Sequence, residues 1–166
     1  MRKFWYWLLP LSWMGVIFYS SGTPYENQDI KPLLGNFFDF SFLEPALGWI
    51  SFTYHNSVVS VDSLGVEGFI EFFIRKGAHV TVFFLLLCFV YLAISKTSGM
   101  MFYKRMILSF LLSAAYAILD EIHQGFTPNR TPYIGDVVID SIGAILAILL
   151  IAIIRWWKMK KVKKTT

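Results

Sequence analysis

Residues 106–124 read MILSFLLSAAYAILDEIHQ, an apolar run that ends in two adjacent acids and a further polar pair. The run before Asp120 is 14 residues long. As a helix it covers roughly 21 Å, less than the roughly 30 Å of a bilayer's hydrocarbon core. A helix that spans a membrane here must therefore carry Asp120 and Glu121 below the headgroups. Ionisable groups at that depth are costly, so they usually face other helices or a wet cavity and have partners.

The composition also indicates a membrane protein. Of the 166 residues, 56% are apolar and 16% are charged, and four long apolar stretches are present. The length fits one domain. Cys88 is the single cysteine, so no intrachain disulfide can form. The net charge of +4 does not indicate nucleic-acid binding, because the basic residues are sorted by membrane side and not gathered on a soluble face.

We predict an all-α membrane protein in which residues 1–166 form a single bundle of four transmembrane helices. The expected spans are residues 4–20, 76–95, 106–124 and 136–154. Pro10 lies within the first span and is expected to bend it or limit its helix. Trp5, Trp7, Trp156 and Trp157 are expected to form an aromatic belt at one interface.

The distribution of charge predicts the orientation. All eleven acids fall on one side of the predicted membrane, with only Lys31, Arg75, Lys76 and Arg130 as basic residues there. The opposite side has no acid and carries the other basic residues, which are Arg2, Lys3, Lys96, Lys104, Arg105, Arg155, Lys158, Lys160, Lys161, Lys163 and Lys164. By the positive-inside rule, we expect a multi-pass protein of the cell membrane with both termini cytoplasmic. The basic tail, residues 155–166, would contact anionic lipid.

The loop over residues 21–75 is expected to be extracytoplasmic and apolar. Its large apolar residues include Phe37, Phe38, Phe40, Phe42, Leu43, Leu47, Trp49, Ile50 and Phe52. They predict short interfacial helices, or a plug over the outer mouth of the bundle. A loop that only packs on the bundle is an equally open interpretation. Residues 56–61 suit a short extended piece, and Ser63 with Glu67 predicts a cap for a helix that continues into the second span.

Polar side chains gather at the outer ends of all four predicted spans. They are Ser20 and Ser21 in the first span, Lys76 and His79 in the second, Tyr116, Asp120, Glu121, His123 and Gln124 in the third, Arg130 in the following loop, and Asp136 and Asp140 in the fourth. In the third span, Glu121 is turned by about 100° from Asp120. Gly143, Ala144 and Ala147 continue the face of the fourth span, and small residues let another helix approach closely.

This constellation carries more negative than positive charge. Four acids face only Lys76 and Arg130 as fixed cations, so either one carboxyl holds a proton or a cationic group binds. His79 and His123 can add charge or carry protons. An ion-pair clamp that merely joins four short helices is the structural alternative. We expect no metal and no cofactor, because neither an H-E-x-x-H nor a Glu-x-x-His pattern is present.

In these motifs the chain resembles the VanZ-like family of bacterial membrane proteins. The matching pieces are Ser20-Ser21, Arg75-Lys76-Gly77-Ala78-His79, Tyr116–Gln124, Pro128-Asn129-Arg130 and Asp136–Ala144. They extend over nearly the whole chain, although Asn129 stands where we expect a glycine. The resemblance implies a four-helix membrane domain with a polar site near its outer face. It also implies a link with lowered susceptibility to lipoglycopeptides such as teicoplanin, but it supplies no reaction.

Three functions follow from the residues and the resemblance. The first is binding of a polar or charged envelope ligand, such as a lipid-linked or glycolipid headgroup, in an outward-facing pocket. Lys76, His79 and Arg130 would contact anionic oxygens, while Tyr116 and Gln124 would orient the carboxylates. The second is an intramembrane enzyme that acts on a lipid-linked phosphate or sugar, although no catalytic motif is recognised. The third is a structural or scaffolding protein. Beyond the lipid bilayer, the sequence indicates no protein partner.

Overall fold

The computed structural model of the protein describes residues 2–24, 28–32 and 39–165, most of which are helical. The helices are α1 (Leu8–Ser21), which follows a 3₁₀ helix over Arg2–Trp7, α2 (Glu44–Leu47), which follows a 3₁₀ turn over Ser41–Leu43, α3 (Val61–Thr97), α4 (Phe102–Gln124) and α5 (Ile134–Thr165). Two strands, β1 (Ser51–Tyr54) and β2 (Ser57–Ser60), precede α3. Phe37 and Phe38, expected in the apolar loop, lie outside the described residues.

Three of the described helices, α3, α4 and α5, are long and apolar enough to cross a membrane. The first expected span is divided between two kinds of helix. Its 3₁₀ part precedes the 14 residues of α1, and Pro10 is buried in the first turn of α1, where a missing backbone N–H costs little. At ordinary helical rises, residues 2–21 together would measure roughly 33 Å. The four-span count stays a prediction.

An antiparallel β-hairpin departs from the predicted all-α class. Ser51 pairs with Ser60 and Tyr54 pairs with Ser57, within the segment expected to be a loop. The two turn residues, His55 and Asn56, have φ angles of 46° and 61°, as a tight two-residue hairpin turn requires. The short extended piece expected over residues 56–61 is therefore one half of a hairpin, whose other half, β1, was not predicted although its burial alternates along the strand.

The start of α3 corrects one expectation. The helix begins at Val61, two residues before the expected capping residue Ser63, and continues through Lys76, where the second span was expected to start. Ser60, and not Ser63, is the N-cap, because β2 delivers Ser60 in an extended conformation and its hydroxyl accepts from the Ser63 N–H at 3.1 Å. Ser63 completes the capping box from its third helical position. The helix is then interrupted at Gly65, which has a φ of 71°.

The extra length of α3 is stabilised by a separate apolar cluster. Val59 of β2 and Val61, Val66 and Phe69 of α3 are buried together beneath apolar side chains of α2 and the hairpin. At 37 residues the helix measures roughly 56 Å, much more than a bilayer core. Its first turns therefore pack against the hairpin, while its later turns form the centre of the bundle.

α3 is the central helix of the bundle. One cluster joins α1 and α4 to it through Ile17, Phe83, Leu86 and Ala117, all of which are buried. A second cluster joins α5 to it, and includes Leu87, Ala144 and Ala147. At the far end of α3, Trp7 donates to the Thr97 hydroxyl at 3.3 Å, which places the start of the chain beside the end of α3.

The closest approach between α3 and α5 occurs at Gly143. A Cβ atom added there would overlap the backbone carbonyl of Val80. Ala144 and Ala147, one and four residues further along, are 1% and 0% exposed. The small-residue face predicted from the sequence is thus the face that packs against α3.

We expect Gly143→Ala to lower the thermal unfolding midpoint of the purified protein in detergent. The added methyl must push α3 and α5 apart, and overpacking of this kind typically costs about 1–3 kcal/mol. Gly77→Ala is the matched control on α3, because a Cβ there meets no described atom within 4 Å. Alanine favours helix over glycine by about 1 kcal/mol, so the control should be neutral or stabilising. Equal midpoints for both variants would contradict the close approach.

Candidate functional site

A cavity of about 610 Å³ lies where α1 and α4 end and α5 begins. Its walls come from α1, the segment after it, the β-hairpin, α3, α4, the segment before α5 and the first turn of α5. The expected site residues that line it are Ser20, Ser21, Lys76, His79, Asp120, Gln124, Arg130 and Asp136. The remaining ones, all within the described part of the chain, are not among the lining residues and are Tyr116, Glu121, His123 and Asp140.

Asp120 is the anionic centre of the α1–α4 side of the cavity. Its carboxylate is 4% exposed and accepts from the Ser21 hydroxyl at 2.5 Å and from the Gln124 amide at 3.0 Å. Gln124 reaches it because residues four apart lie on one face of a helix. Each carboxylate oxygen therefore has a donor, which is the requirement for burying a charge at this depth.

A chain of hydrogen bonds continues from Gln124 to the segment before α5. The Arg130 guanidinium donates to Oε1 of Gln124 at 3.1 Å and to Oε1 of Gln28 at 2.5 Å. Gln28 in turn donates to the backbone carbonyl of Ser20 at 2.7 Å, which closes the chain on α1. Burial and the nearby Arg75 lower the pKa of Arg130, against the opposing effect of the surrounding carboxylates.

Arg130 does not neutralise an acid in the way the sequence suggested. Among the residues that the structure describes, its side chain donates to amide oxygens and forms no ion pair. The reason is the intervening Gln124, whose amide donates to Asp120 and accepts from Arg130. The Arg130 guanidinium is therefore connected to the Asp120 carboxylate through two hydrogen bonds of the neutral Gln124 side chain.

Lys76 and Asp136 form an ion pair between α3 and α5. The Tyr54 hydroxyl donates to the same Asp136 oxygen at 2.5 Å, and the Lys76 ammonium lies 4.5 Å from the centroid of the Tyr54 ring. This hairpin residue thus contacts the ion pair with both its hydroxyl and its aromatic face. Burial and the hydrogen bond to Asp136 raise the pKa of Tyr54, so it is a neutral donor.

His79 and Asp140 form the next contact along the same two helices. Nδ1 of His79 lies 3.0 Å from Oδ1 of Asp140, whose residue is fully buried. The contacts Lys76–Asp136, His79–Asp140 and Val80–Gly143 follow one another because α3 and α5 run in the same direction here.

Two buried carboxylate oxygens have no donor among the described residues. Glu121 accepts from the Tyr133 backbone N–H at 2.5 Å through Oε1, but its Oε2 has no partner. Oδ2 of Asp140 is likewise unpartnered. An unsatisfied buried acceptor costs about 1–3 kcal/mol, and more when it is charged. The described residues therefore supply too few donors for all the carboxyl groups of this cluster, and the charge surplus expected from the sequence stays a prediction.

Tyr116 has a role other than the one expected, whereas the charge or proton transfer expected of His123 stays a prediction. Tyr116 donates to the backbone carbonyl of Met14 at 2.5 Å, so it joins α4 to α1 and does not orient a carboxylate. The side chain lies one turn before Asp120 and is long enough to reach the main chain of α1. His123 stacks on Phe18 with ring centroids 3.9 Å apart, and its Nδ1 has no hydrogen-bond partner in the described part of the chain.

Sequence reasoning missed four residues of the cavity wall. Glu71 is 2% exposed and pairs with Arg75 at 2.8 Å, and Arg75 also donates to the Gln28 backbone carbonyl at 2.7 Å. The spacing of four between Glu71 and Arg75 was a usable signal, because both residues fall on the helix that was expected to continue from Ser63 into the second span. Gln28 comes from an irregular segment and Tyr54 from a four-residue strand, and no motif marks either residue as part of a polar site.

The cavity is a mixed-charge site. Its lining presents guanidinium and ammonium groups beside carboxylates, a combination that can bind a ligand with anionic oxygens and hydroxyl or amino groups. Within the described residues, no group of three or more His, Cys, Asp and Glu side chains is arranged to hold a metal ion. The chemistry that the arrangement supports is hydrogen bonding and ion pairing.

We expect the Tyr54 phenol to remain protonated when ordinary tyrosines ionise near pH 10, because its pKa is raised. Since the folded pKa lies above the unfolded one, the stability it contributes is fully present below pH 10 and is lost as the pH rises further. Wild type and Tyr54→Phe should therefore show equal tyrosinate absorbance just above pH 10, with the fold monitored by circular dichroism. An excess of one tyrosinate in the folded wild type would contradict the buried hydrogen bond.

Comparison with known proteins adds one finding. The family model described as VanZ/LLP1 matches residues 5–155, a range that includes every cavity residue discussed above. No curated protein and no solved structure matched the chain. The match extends over most of the sequence and agrees with the resemblance carried by the motifs around Lys76, Asp120 and Asp136. The chain belongs to the VanZ/LLP1 family, with three helices apolar enough to span a membrane.

Proposed function

We propose that this protein binds a polar or charged ligand of the cell envelope, such as a lipid-linked or glycolipid headgroup, and thereby lowers susceptibility to teicoplanin-type lipoglycopeptides. One observation carries the proposal: ionisable side chains from α3, α4 and α5, together with serine hydroxyls from α1, line a single cavity of about 610 Å³. That volume falls within the roughly 300–1,000 Å³ of small-molecule sites. A clamp that only joins helices has no need of such a space.

The charges of the lining favour a headgroup with anionic oxygens. Arg130 donates to neutral amide oxygens and has no carboxylate partner among the described residues, so its positive charge is available to a phosphate or carboxylate. Lys76 also lines the cavity, where its ammonium contacts both the Asp136 carboxylate and the Tyr54 ring. Asp120 and Asp136 can accept from hydroxyl or amino groups of the same ligand.

The remaining wall favours a ligand with an apolar part. Trp13, Val16 and Ile17 of α1 and Phe72 and Val82 of α3 line the cavity beside the charged groups. A purely ionic ligand would leave this surface unused. A lipid-linked or glycolipid molecule would place its headgroup against Arg130 and Lys76 and its apolar portion along α1 and α3.

We also propose four spans with both termini cytoplasmic, which places the cavity on the outer side. The charge asymmetry supports this orientation. Support comes too from contacts between the start of the chain and the end of α3, which would share the inner side. Trp7 donates to Thr97, and the Lys96 ammonium lies 5.9 Å from the Tyr6 ring centroid.

The orientation is tested by cysteine labelling in intact cells, in a Cys88→Ser background. Glu44 and Gly99 are both exposed and lie at opposite ends of the bundle. A membrane-impermeant maleimide should label Glu44→Cys directly, and Gly99→Cys only after the membrane has been permeabilised. The reverse pattern would contradict the proposed orientation. Labelling of both sites in sealed cells would contradict the proposal that a membrane separates them.

The binding function is tested with Asp120→Asn in a susceptible Gram-positive host at matched membrane levels. The amide would turn a donor toward Ser21 or Gln124, and a lost or opposed buried hydrogen bond of about 1–3 kcal/mol corresponds to about tenfold or more in affinity. Wild type should raise the inhibitory concentration of teicoplanin and not that of vancomycin. The variant should lose this rise.

Asp62→Asn is the matched control, because Asp62 is an exposed acid on α3 that does not line the cavity. It should behave as wild type. Lys76→Gln, on a different helix, should behave as Asp120→Asn. If both cavity variants keep the teicoplanin effect while remaining folded, the cavity is not the binding site. If they lose thermal stability in detergent before any other property, the polar cluster is a clamp. An absence of any shift for wild type removes resistance as the function.

A further inference from the structure

A second cavity, of about 750 Å³, lies at the opposite end of the bundle between α3, α4 and α5. Its apolar wall includes Tyr91 of α3, Phe102 at the start of α4, and Ile151 and Ile154 of α5. Arg155 and Lys158 of α5 border the same space. We call this space the basic groove, and it shares no residue with the polar cavity.

The α5 residues of the basic groove lie on one helical face. Ile151, Ile154, Arg155 and Lys158 are spaced by three, one and three residues, which aligns them along two turns of helix. The isoleucines come first, nearer the middle of the bundle, and the two cations follow nearer the end of the chain. An apolar stretch followed by a cationic end is complementary to a phospholipid, whose apolar acyl chain ends in an anionic phosphate.

Arg155 of the basic groove is held against an aromatic ring. The Arg155 guanidinium lies 4.2 Å from the Phe102 centroid, and Tyr91 packs edge-on against Phe102 at 6.2 Å. The Arg105 guanidinium lies 5.8 Å from the Tyr91 centroid on the same rings. A guanidinium stacked on a ring keeps its in-plane N–H donors for an anion.

Within the described part of the chain, these cations have no acidic partner. No described carboxylate pairs with Arg155 or Lys158, and the described acids that form ion pairs lie toward the other end of the bundle. Basic pockets between transmembrane helices bind anionic lipid headgroups, because each cation near such a lipid contributes favourable electrostatic free energy. Charge and apolar lining thus both point to one class of occupant.

We propose that the basic groove binds one anionic phospholipid, with its phosphate at Arg155 and Lys158 and an acyl chain along Tyr91 and Ile151. The groove is distinct from a surface that merely attracts anionic membranes, because it combines a walled apolar space with fixed cations. The inference does not rest on the function proposed for the polar cavity.

The test uses the purified full chain in detergent with phosphatidylglycerol, and with phosphatidylcholine of the same acyl chains as the zwitterionic comparison. Native mass spectrometry measures the dissociation constant for the first lipid bound. Wild type should bind phosphatidylglycerol more tightly than phosphatidylcholine. The double variant Arg155→Gln/Lys158→Gln should lose about thirtyfold in phosphatidylglycerol affinity, the loss expected for two cations beside an anionic headgroup.

Two further variants separate the groove from the general basic charge. Lys160→Gln/Lys161→Gln removes the same charge from α5 outside the groove lining and should leave the affinity within about twofold of wild type. Ile151→Trp keeps every charge but fills the apolar wall, and should weaken binding. Equal losses for the two double variants would overturn the site in favour of diffuse attraction. Equal wild-type affinity for both lipids would also overturn it, as would full binding by Ile151→Trp.

Discussion

The need to satisfy a buried carboxylate in Asp120 governs the arrangement of the helix ends around it. A buried carboxylate needs hydrogen-bond donors from the protein around it. Ser21 at the end of α1 supplies one, and Gln124, one turn further along α4, supplies the other. The Arg130 guanidinium then donates to Gln124 and to Gln28, so the segments before α5 and after α1 are held at the same place. Four pieces of chain are thus joined by the hydrogen bonds that begin at Asp120.

A second constraint fixes the distance between α3 and α5. The contact of Gly143 with the Val80 backbone lets the helices approach closely enough for Lys76 to reach Asp136 and for His79 to reach its partner on α5. These contacts succeed one another along two helices that run in the same direction, so the glycine acts on all of them. Packing and electrostatics are therefore coupled on this side of the cavity.

The sequence predicted those parts of the structure that follow from helical periodicity and burial. The depth of Asp120 and Glu121 predicted that they would have partners, and the small-residue face at Gly143 predicted a close neighbour. The family was confirmed by the match over residues 5–155. That the polar cavity binds a ligand stays a proposal.

The errors arose where tertiary contacts override local pattern. Ser63 satisfies the local rule for a helix cap, but hairpin pairing presents Ser60 in the extended conformation that an N-cap needs. Tyr116 lies on the expected stripe of α4, yet a main-chain carbonyl of α1 is within reach and takes its hydroxyl. Gln28 enters the site from an irregular segment and Tyr54 from a four-residue strand, and only the folded chain brings them there.

The position of Tyr54 has a consequence for any ligand of the polar cavity. Tyr54 and Lys76 share a single oxygen of Asp136, and all three side chains line the cavity. A phosphate or carboxylate that attracts the Lys76 ammonium weakens its pairing with Asp136 and leaves that carboxylate more dependent on the Tyr54 donor. Because Tyr54 belongs to the hairpin, occupancy of the cavity and the packing of the hairpin on α3 are linked through one carboxylate oxygen. By thermodynamic reciprocity, a change that loosens the hairpin must alter the affinity for such an anion.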